Sequence, residues 1–296
     1  MSLKLYSNKK VIVCFLAPAL IMLGVFIYYP LIQAVIGSLY QWNAYLPDRT
    51  WVGLGNYLEI FKNPNLFLAI RNNILYAIIS VVCQVFLAMV LAACIEEAFM
   101  RKFQKFFRSV LFLPSLISMA IIALLWKQLF NPNIGLINAF IHLLGFEDLT
   151  PLWLGDSKLA IFCCIFMSQW QYTGYCMMLD LVGIQKIPQE LYESAELDGA
   201  SPIQKFFKVT LPLAKESMLV TSIITIIGSF KVFTEIQVMT GGGPGHASEV
   251  LATLMYKEAF KMNSLGTANA YAFVIFIVTL VLSIIQIRLS NSGKDS

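Results

Sequence analysis

Few side chains in this sequence can do chemistry, and most of those sit in apolar surroundings. The stretch SQWQYTGY, Ser168 to Tyr175, places Gln169, Trp170 and Thr173 inside a long hydrophobic run. Aromatic faces combined with amides and hydroxyls bind sugars well, because the rings stack and the polar groups bond the sugar hydroxyls. The same groups also act as glue, hydrogen-bonding one packed membrane helix to another. Successive helical positions turn by about 100°, so these residues cannot all face one cavity; Gln169, Trp170 and Thr173 are the favoured set. Lys231 and Glu235 are spaced i, i+4 in another apolar run and could pair. Lys231 would lie roughly 27 Å along a helix counted from Leu213, near a membrane face where snorkelling would account for it. Gln84 is a weaker candidate, and Asp180 falls at the end of its run. No Ser/His/Asp or metal-ligand constellation accompanies them: the two histidines, His142 and His246, fall in separate connections. The cysteines have neither disulfide nor zinc spacing and read as small buried hydrophobes.

Membrane helices must position these groups. Of 296 residues, 58% are hydrophobic and 13% charged, whereas a soluble domain is about one quarter charged. The class implied is an all-α integral membrane protein, read as a single transmembrane domain over 1–296. Scattered basic residues and a net charge of +4 give no nucleic-acid footprint. About 20 mainly apolar residues cross a bilayer, and six segments qualify: 11–37, 73–95, 109–130, 158–182, 213–238 and 267–289. The first follows Lys4, Lys9 and Lys10, but its apolar run is too long for a signal-peptide core. Alternate connections divide the basic residues thirteen to seven, with Lys231 inside a span. The richer set holds both termini and the connection 183–212, which should all be cytoplasmic.

That connection is the most highly charged part of the chain, with Glu190, Glu193, Glu196 and Asp198 followed by Lys205 and Lys208. Pro188 suits the first position of a helix whose acids lie at its N-terminal end, where the dipole favours them. Gly199 suits its stop. Ser201-Pro202-Ile203-Gln204 reads as a capping box opening a second short helix, with Ile203, Phe206 and Phe207 on one face and Leu211-Pro212 at its end. Such an elbow is either a solvated loop with aromatics on the bilayer surface or a docking element for a cytoplasmic partner.

The stretch ESAELDGASPIQKFFKVTLP, Glu193 to Pro212, resembles the EAA signature of permease subunits of binding-protein-dependent ABC importers. Glu193, Ala195, Gly199, Leu211 and Pro212 keep the signature's spacing, while Ser194 and Val209 are mild departures. Four further segments resemble the maltose-type, sugar-importing branch: APALIMLGVFIYYPLIQAVIGSLYQWN, WVGLGNYLEIF, FRSVLFLPSLISMAIIALLWKQLFNPNIGLIN and MTGGGPGHASEVLATLMYKEAF.

The resemblance implies a type I importer permease fold in the bacterial cell membrane. It also implies a second homologous permease as partner in a heterodimer, two ATPase subunits and an extracellular solute-binding protein. The elbow would supply the ATPase socket, with Glu193, Ser194, Ala195, Gly199, Leu211 and Pro212 carried over and Phe206 and Phe207 added from helical spacing. Gly241, Gly242, Gly243 and Pro244, which form a turn or irregular loop, would shape the external opening. This chain would bind no cofactor. No G-x-x-x-x-G-K-[ST] phosphate loop occurs in it, so ATP and Mg would be used by the partner ATPase. A glycerol phosphate, polyamine or peptide permease is the alternative, and an ion-coupled secondary transporter a more distant one. Such a carrier usually shows repeated halves, which are not found here.

Overall fold

The computed structural model describes residues 9–45, 48–146 and 151–292; Lys4 and Lys294 of the charge pattern lie outside them. In chain order the elements are α1 (Ile12–Gly37), a hairpin of β1 (Tyr40–Gln41) and β2 (Thr50–Trp51), α2 (Gly55–Lys62) and α3 (Pro64–Glu96). Next come α4 (Gln104–Leu116), α5 (Met119–Leu129), α6 (Leu136–Leu143) and α7 (Ala160–Ile184). The chain continues through α8 (Gln189–Leu197), α9 (Pro202–Leu213), α10 (Lys215–Phe230) and α11 (Thr234–Met239). It closes with α12 (Leu251–Phe260) and α13 (Leu265–Ser292). The all-helical expectation holds apart from the two-residue antiparallel hairpin.

By length and composition, α1, α3 and Leu265–Arg288 of α13 can each cross a membrane, and two bent pairs, α4 with α5 and α9 with α10, bring the number to five. α7 is about 37 Å long at 1.5 Å per residue, but its polar stretch lowers its hydropathy.

Two expected spans are interrupted. The segment 109–130 is not continuous: α4 and α5 meet at 97°. Pro114 has no N–H for the carbonyl four residues back, and the Ser115 hydroxyl takes the Phe112 carbonyl at 2.7 Å, drawing an acceptor from the ladder. Ile117 is then extended, at φ −87° and ψ 141°. Likewise 213–238 is not one helix. α9 turns into α10 by 72° at Ala214, and α10 ends at Phe230, leaving 231–233 irregular before α11. The second span starts earlier than expected, at Pro64 rather than residue 73.

The chain divides into two compact units, Met1–Asn63 with Met255–Val274, and Pro64–Leu254 with Ile275–Ser296. In the first, the Asn56 amide donates to the carbonyls of Ser38 and Tyr40 at 2.7 and 3.0 Å. Gly266 lets the start of α13 press against the Tyr40 carbonyl, which an added Cβ would meet at 2.1 Å. In the second unit α7 is the central post, burying fifteen of its residues. One apolar cluster joins it to Tyr76, Ile122, Phe130 and Ile236, and another to Met89, Ala92, Ile95 and Ala214. Gly174 makes the closest crossing: a Cβ there would lie 1.8 Å from the Leu111 carbonyl oxygen of α4.

Candidate functional site

α7 sends its polar residues in different directions, as a 100° step requires. Gln169 is buried: its carbonyl accepts from the Gln84 amide at 2.9 Å, and its own amide donates to Ser80 at 3.0 Å and to the Ile165 carbonyl at 3.1 Å. Gln84 lies in a widened, π-type turn of α3 (Val81–Leu87) facing this contact. Gln171 donates to the Ile117 carbonyl at 3.0 Å, supplying a partner where α4 and α5 part. The Thr173 hydroxyl turns back to the Gln169 carbonyl at 2.7 Å. Trp170 alone of the favoured trio is well presented, at 47% exposure. Its ring meets Trp126 edge-on at 5.6 Å between centroids, and Trp126 continues to Phe166 at 5.3 Å and Phe130 at 5.5 Å.

The expected helical pairing of Lys231 with Glu235 is not formed, because the helix is interrupted between them. Lys231 is exposed. Glu235 is buried at the start of α11 and accepts a 2.8 Å hydrogen bond from the Tyr76 hydroxyl.

The glycine-rich loop is tightly built. Gly241 and Gly242 take left-handed φ of 62° and 85°. The Gly242 N–H donates to the Thr240 hydroxyl at 3.2 Å, and Ser248 donates to the Gly243 carbonyl at 2.6 Å. Pro244 accepts, through its carbonyl, the Ala247 N–H at 2.9 Å. Below the loop the fully buried Glu249 carboxylate takes the Thr253 hydroxyl and lies 3.2 Å from His246 Nδ1. Two asparagines of α3 clamp the far side. Asn72 donates to the Ala247 and Glu249 carbonyls at 2.9 and 2.8 Å. Asn73 donates to the Ser229 carbonyl at 2.7 Å and accepts from the Leu251 N–H at 3.0 Å.

The elbow follows its sequence signals closely. Helix α8 starts at Gln189, with Pro188 one position earlier than expected, at the cap. Gly199 turns the chain at φ 77°, and the Ser201–Gln204 capping box is reciprocal, at 3.3 and 2.8 Å. Inside α9 the turn Phe206–Thr210 is widened just before Pro212, whose missing N–H leaves a carbonyl without its usual donor. The apolar face divides. Phe206 packs on the cluster around Met89 and Ala92, whereas Leu197, Ile203 and Phe207 stand 90%, 71% and 53% exposed. Glu193, Ser194 and Pro212 are also exposed, and Ala195 and Leu211 half-buried.

Lys205 points inward, to Glu196 at 2.8 Å and Glu97 at 3.3 Å. The hydrogen bond to Glu196 raises its amine above the usual lysine value, helped by the charge of Glu97 against the cost of burial. Burial raises the Tyr192 phenol, which lies 3.0 Å from the Thr210 hydroxyl.

Residues 84–291 match the family described as binding-protein-dependent transport system inner membrane component. The chain belongs to that family. It is 49% identical to the probable ABC transporter permease protein YurN of Bacillus subtilis, over 98% of this chain and 99% of that one. It is 31% identical to the arabinooligosaccharides transport system permease protein AraP of the same species, over 98% and 91%. Its fold matches a solved bacterial ABC transporter involved in import of the acidic polysaccharide alginate, with a TM-score of 0.84 and 23% identity over 98% of this chain and 99% of that one. The chain is therefore a transporter subunit with the type I importer permease fold, and a membrane component.

In this permease, sequence reasoning missed the Asn72–Asn73 clamp and the inward turn of Lys205. Adjacent amides at the head of an apolar run were the available signal for the clamp. Lys205 offered none, since its acidic partners lie nine and 108 positions away.

Proposed function

We propose that this permease is one membrane-spanning subunit of an ATP-driven sugar importer. It pairs with a second homologous permease, two ATPase subunits and an external solute-binding protein. The observation that carries this reading is the elbow: a capped, two-helix element that keeps Leu197, Ile203 and Phe207 bare. In this reading α10 crosses without α9, α7 is added as the sixth span, and both termini lie in the cytoplasm with the elbow. Glu193, Ser194, Ala195 and Gly199 form the contact with the ATPase, Ile203 and Phe207 anchor it, Phe206 and Leu211 hold the elbow to the bundle, and Pro212 marks its end. ATP and Mg act on the ATPase chains.

The solute passes along the face of α7 that carries Trp170, where the Trp126 ring extends the stacking surface. Gln169 and Thr173 shape that face from behind, Glu235 and Lys231 stand farther along, and Gly241 to Pro244 form the rim of the outer opening. A sugar as cargo is supported by the arabinooligosaccharide relative and by an aromatic face suited to stacking on sugar rings.

The test has two arms. The solute-binding protein encoded beside this permease is purified and its bound ligand identified by mass spectrometry; a sugar is expected, and a phosphate ester, polyamine or peptide overturns the cargo. Gly199→Arg, introduced into the complete transporter, is expected to remain in the membrane but lose ATPase association and uptake. Undiminished uptake counts against the elbow as the joint.

A further inference from the structure

The elbow contains one cation that does not face outward. Lys205 is 7% exposed, while Ile203, Phe207 and Lys208 around it are exposed. Its amine lies 2.8 Å from Glu196, nine residues earlier in the elbow itself, and 3.3 Å from Glu97, the residue just past the end of α3. At Glu97 the backbone leaves the helix in an extended conformation, φ −60° and ψ 145°. The preceding residue, Glu96, accepts from Arg108 of α4 at 2.6 Å and from Gln185, just past α7, at 2.8 Å. Two consecutive glutamates thus gather the elbow, α4 and the end of α7 at one point.

We propose that Lys205 is the pin that fixes the elbow to the end of α3, so that a displacement of the elbow carries α3, α4 and α7 with it. This rests on the reading of the elbow as the ATPase joint. Lys205 is a positioning residue: its head is turned away from the bare face, toward Glu97. The lysine is covered while Glu97 is 28% and Glu196 60% exposed, so water tempers the energy of the pair and its contribution is the direction in which it holds the elbow. The capping box stiffens the elbow internally but ties it to nothing else. Phe206 supplies the apolar part of the attachment, which resists separation but is non-directional. Lys205 adds the directional part.

Hydrogen exchange on the complete complex tests this without knowledge of the solute, using Mg-ATP with orthovanadate as the probe. In the unsubstituted complex the probe should change exchange both in the elbow, 189–213, and at 90–97 and 104–108. In Lys205→Met and in Glu97→Gln the elbow response should persist while the response at 90–97 and 104–108 falls at least about threefold, a coupling of ordinary size. Lys205→Arg should preserve it, and the double variant should be no worse than the worse single one. A full response at 90–97 in both single variants overturns the pin, as does loss of ATPase association in Lys205→Met with association intact in Glu97→Gln. If Lys205→Met does not fold, Glu97→Gln decides alone, since Glu97 is already 28% exposed. If the unsubstituted elbow does not respond to the probe at all, the joint reading itself fails, and the pin with it.

Discussion

The elbow and the glycine-rich loop are built from similar parts and finished in opposite ways. Each turns on a glycine with left-handed φ, 77° at Gly199 and 85° at Gly242, and each sets acidic side chains, several in the elbow and Glu249 in the loop, beside small residues. In the loop almost every polar group is used within the chain, from the Ser248 hydroxyl to the fully buried Glu249, and Asn72 and Asn73 lock it down. The elbow saturates only its inner side, through Lys205 and Phe206, and leaves Leu197, Ile203 and Phe207 in the open. An element that must keep a shape spends its hydrogen bonds internally. The elbow, as the proposed joint, leaves its anchors bare.

The largest expected effect breaks the elbow side of this contrast. Phe207→Glu puts a charge on the bare face, and loss of an interface anchor costs about 2 kcal/mol or more, roughly thirtyfold in affinity. ATPase recovered with the purified permease should fall by that order while the melting temperature of the permease alone stays put. An unchanged yield of ATPase would mean that the exposed face receives no partner.

Comparable in free energy, but read in stability rather than in binding, is the loop. Gly242→Ala adds a Cβ about to strike the Glu249 carboxyl, 2.5 Å away, at a φ of 85° that alanine resists. Strain and a displaced buried carboxylate together should cost about 2–4 kcal/mol, seen as a lower melting temperature in detergent with ATPase recovery falling only as the folded fraction falls. Asn73→Ala should follow at about 1–3 kcal/mol, since it strands the buried Ser229 carbonyl and Leu251 N–H together. A melting temperature unmoved by either change would show that the loop is not held as described.

The same contrast explains what the sequence disclosed. Elbow signals are local: Gly199, the Ser201 box and Pro212 act within a few residues, so they were readable and are placed almost as expected, with Pro188 off by one. Loop and core signals are long-range. Asn72 reaches across 175 positions to Ala247, and Gln169 across 85 to Gln84, distances at which no periodicity speaks. The interruption of the third span was within reach, through Pro114 and Ser115, but an apolar run conceals it. Lys231 and Glu235 misled for a related reason: i, i+4 spacing has meaning only on an unbroken helix. The rotation of α7 carried no local signal either: of Gln169, Trp170 and Thr173, only Trp170 is exposed.

The finest discrimination comes from Gly199→Ala. Its φ of 77° is as left-handed as that of Gly242, yet an added Cβ at Gly199 meets nothing within 4 Å, whereas one at Gly242 meets a carboxyl. Conformational strain of about 1–2 kcal/mol is then the whole intramolecular cost, and the melting temperature of the isolated permease should drop by less than it does for Gly242→Ala. Any effect on ATPase recovery beyond that must come from space outside the chain. Stability loss matching strain with normal ATPase recovery would say that Gly199 serves only the turn. A recovery deficit exceeding the stability loss, growing from Gly199→Ala to Gly199→Arg, would place another protein's surface directly over the empty space at Gly199.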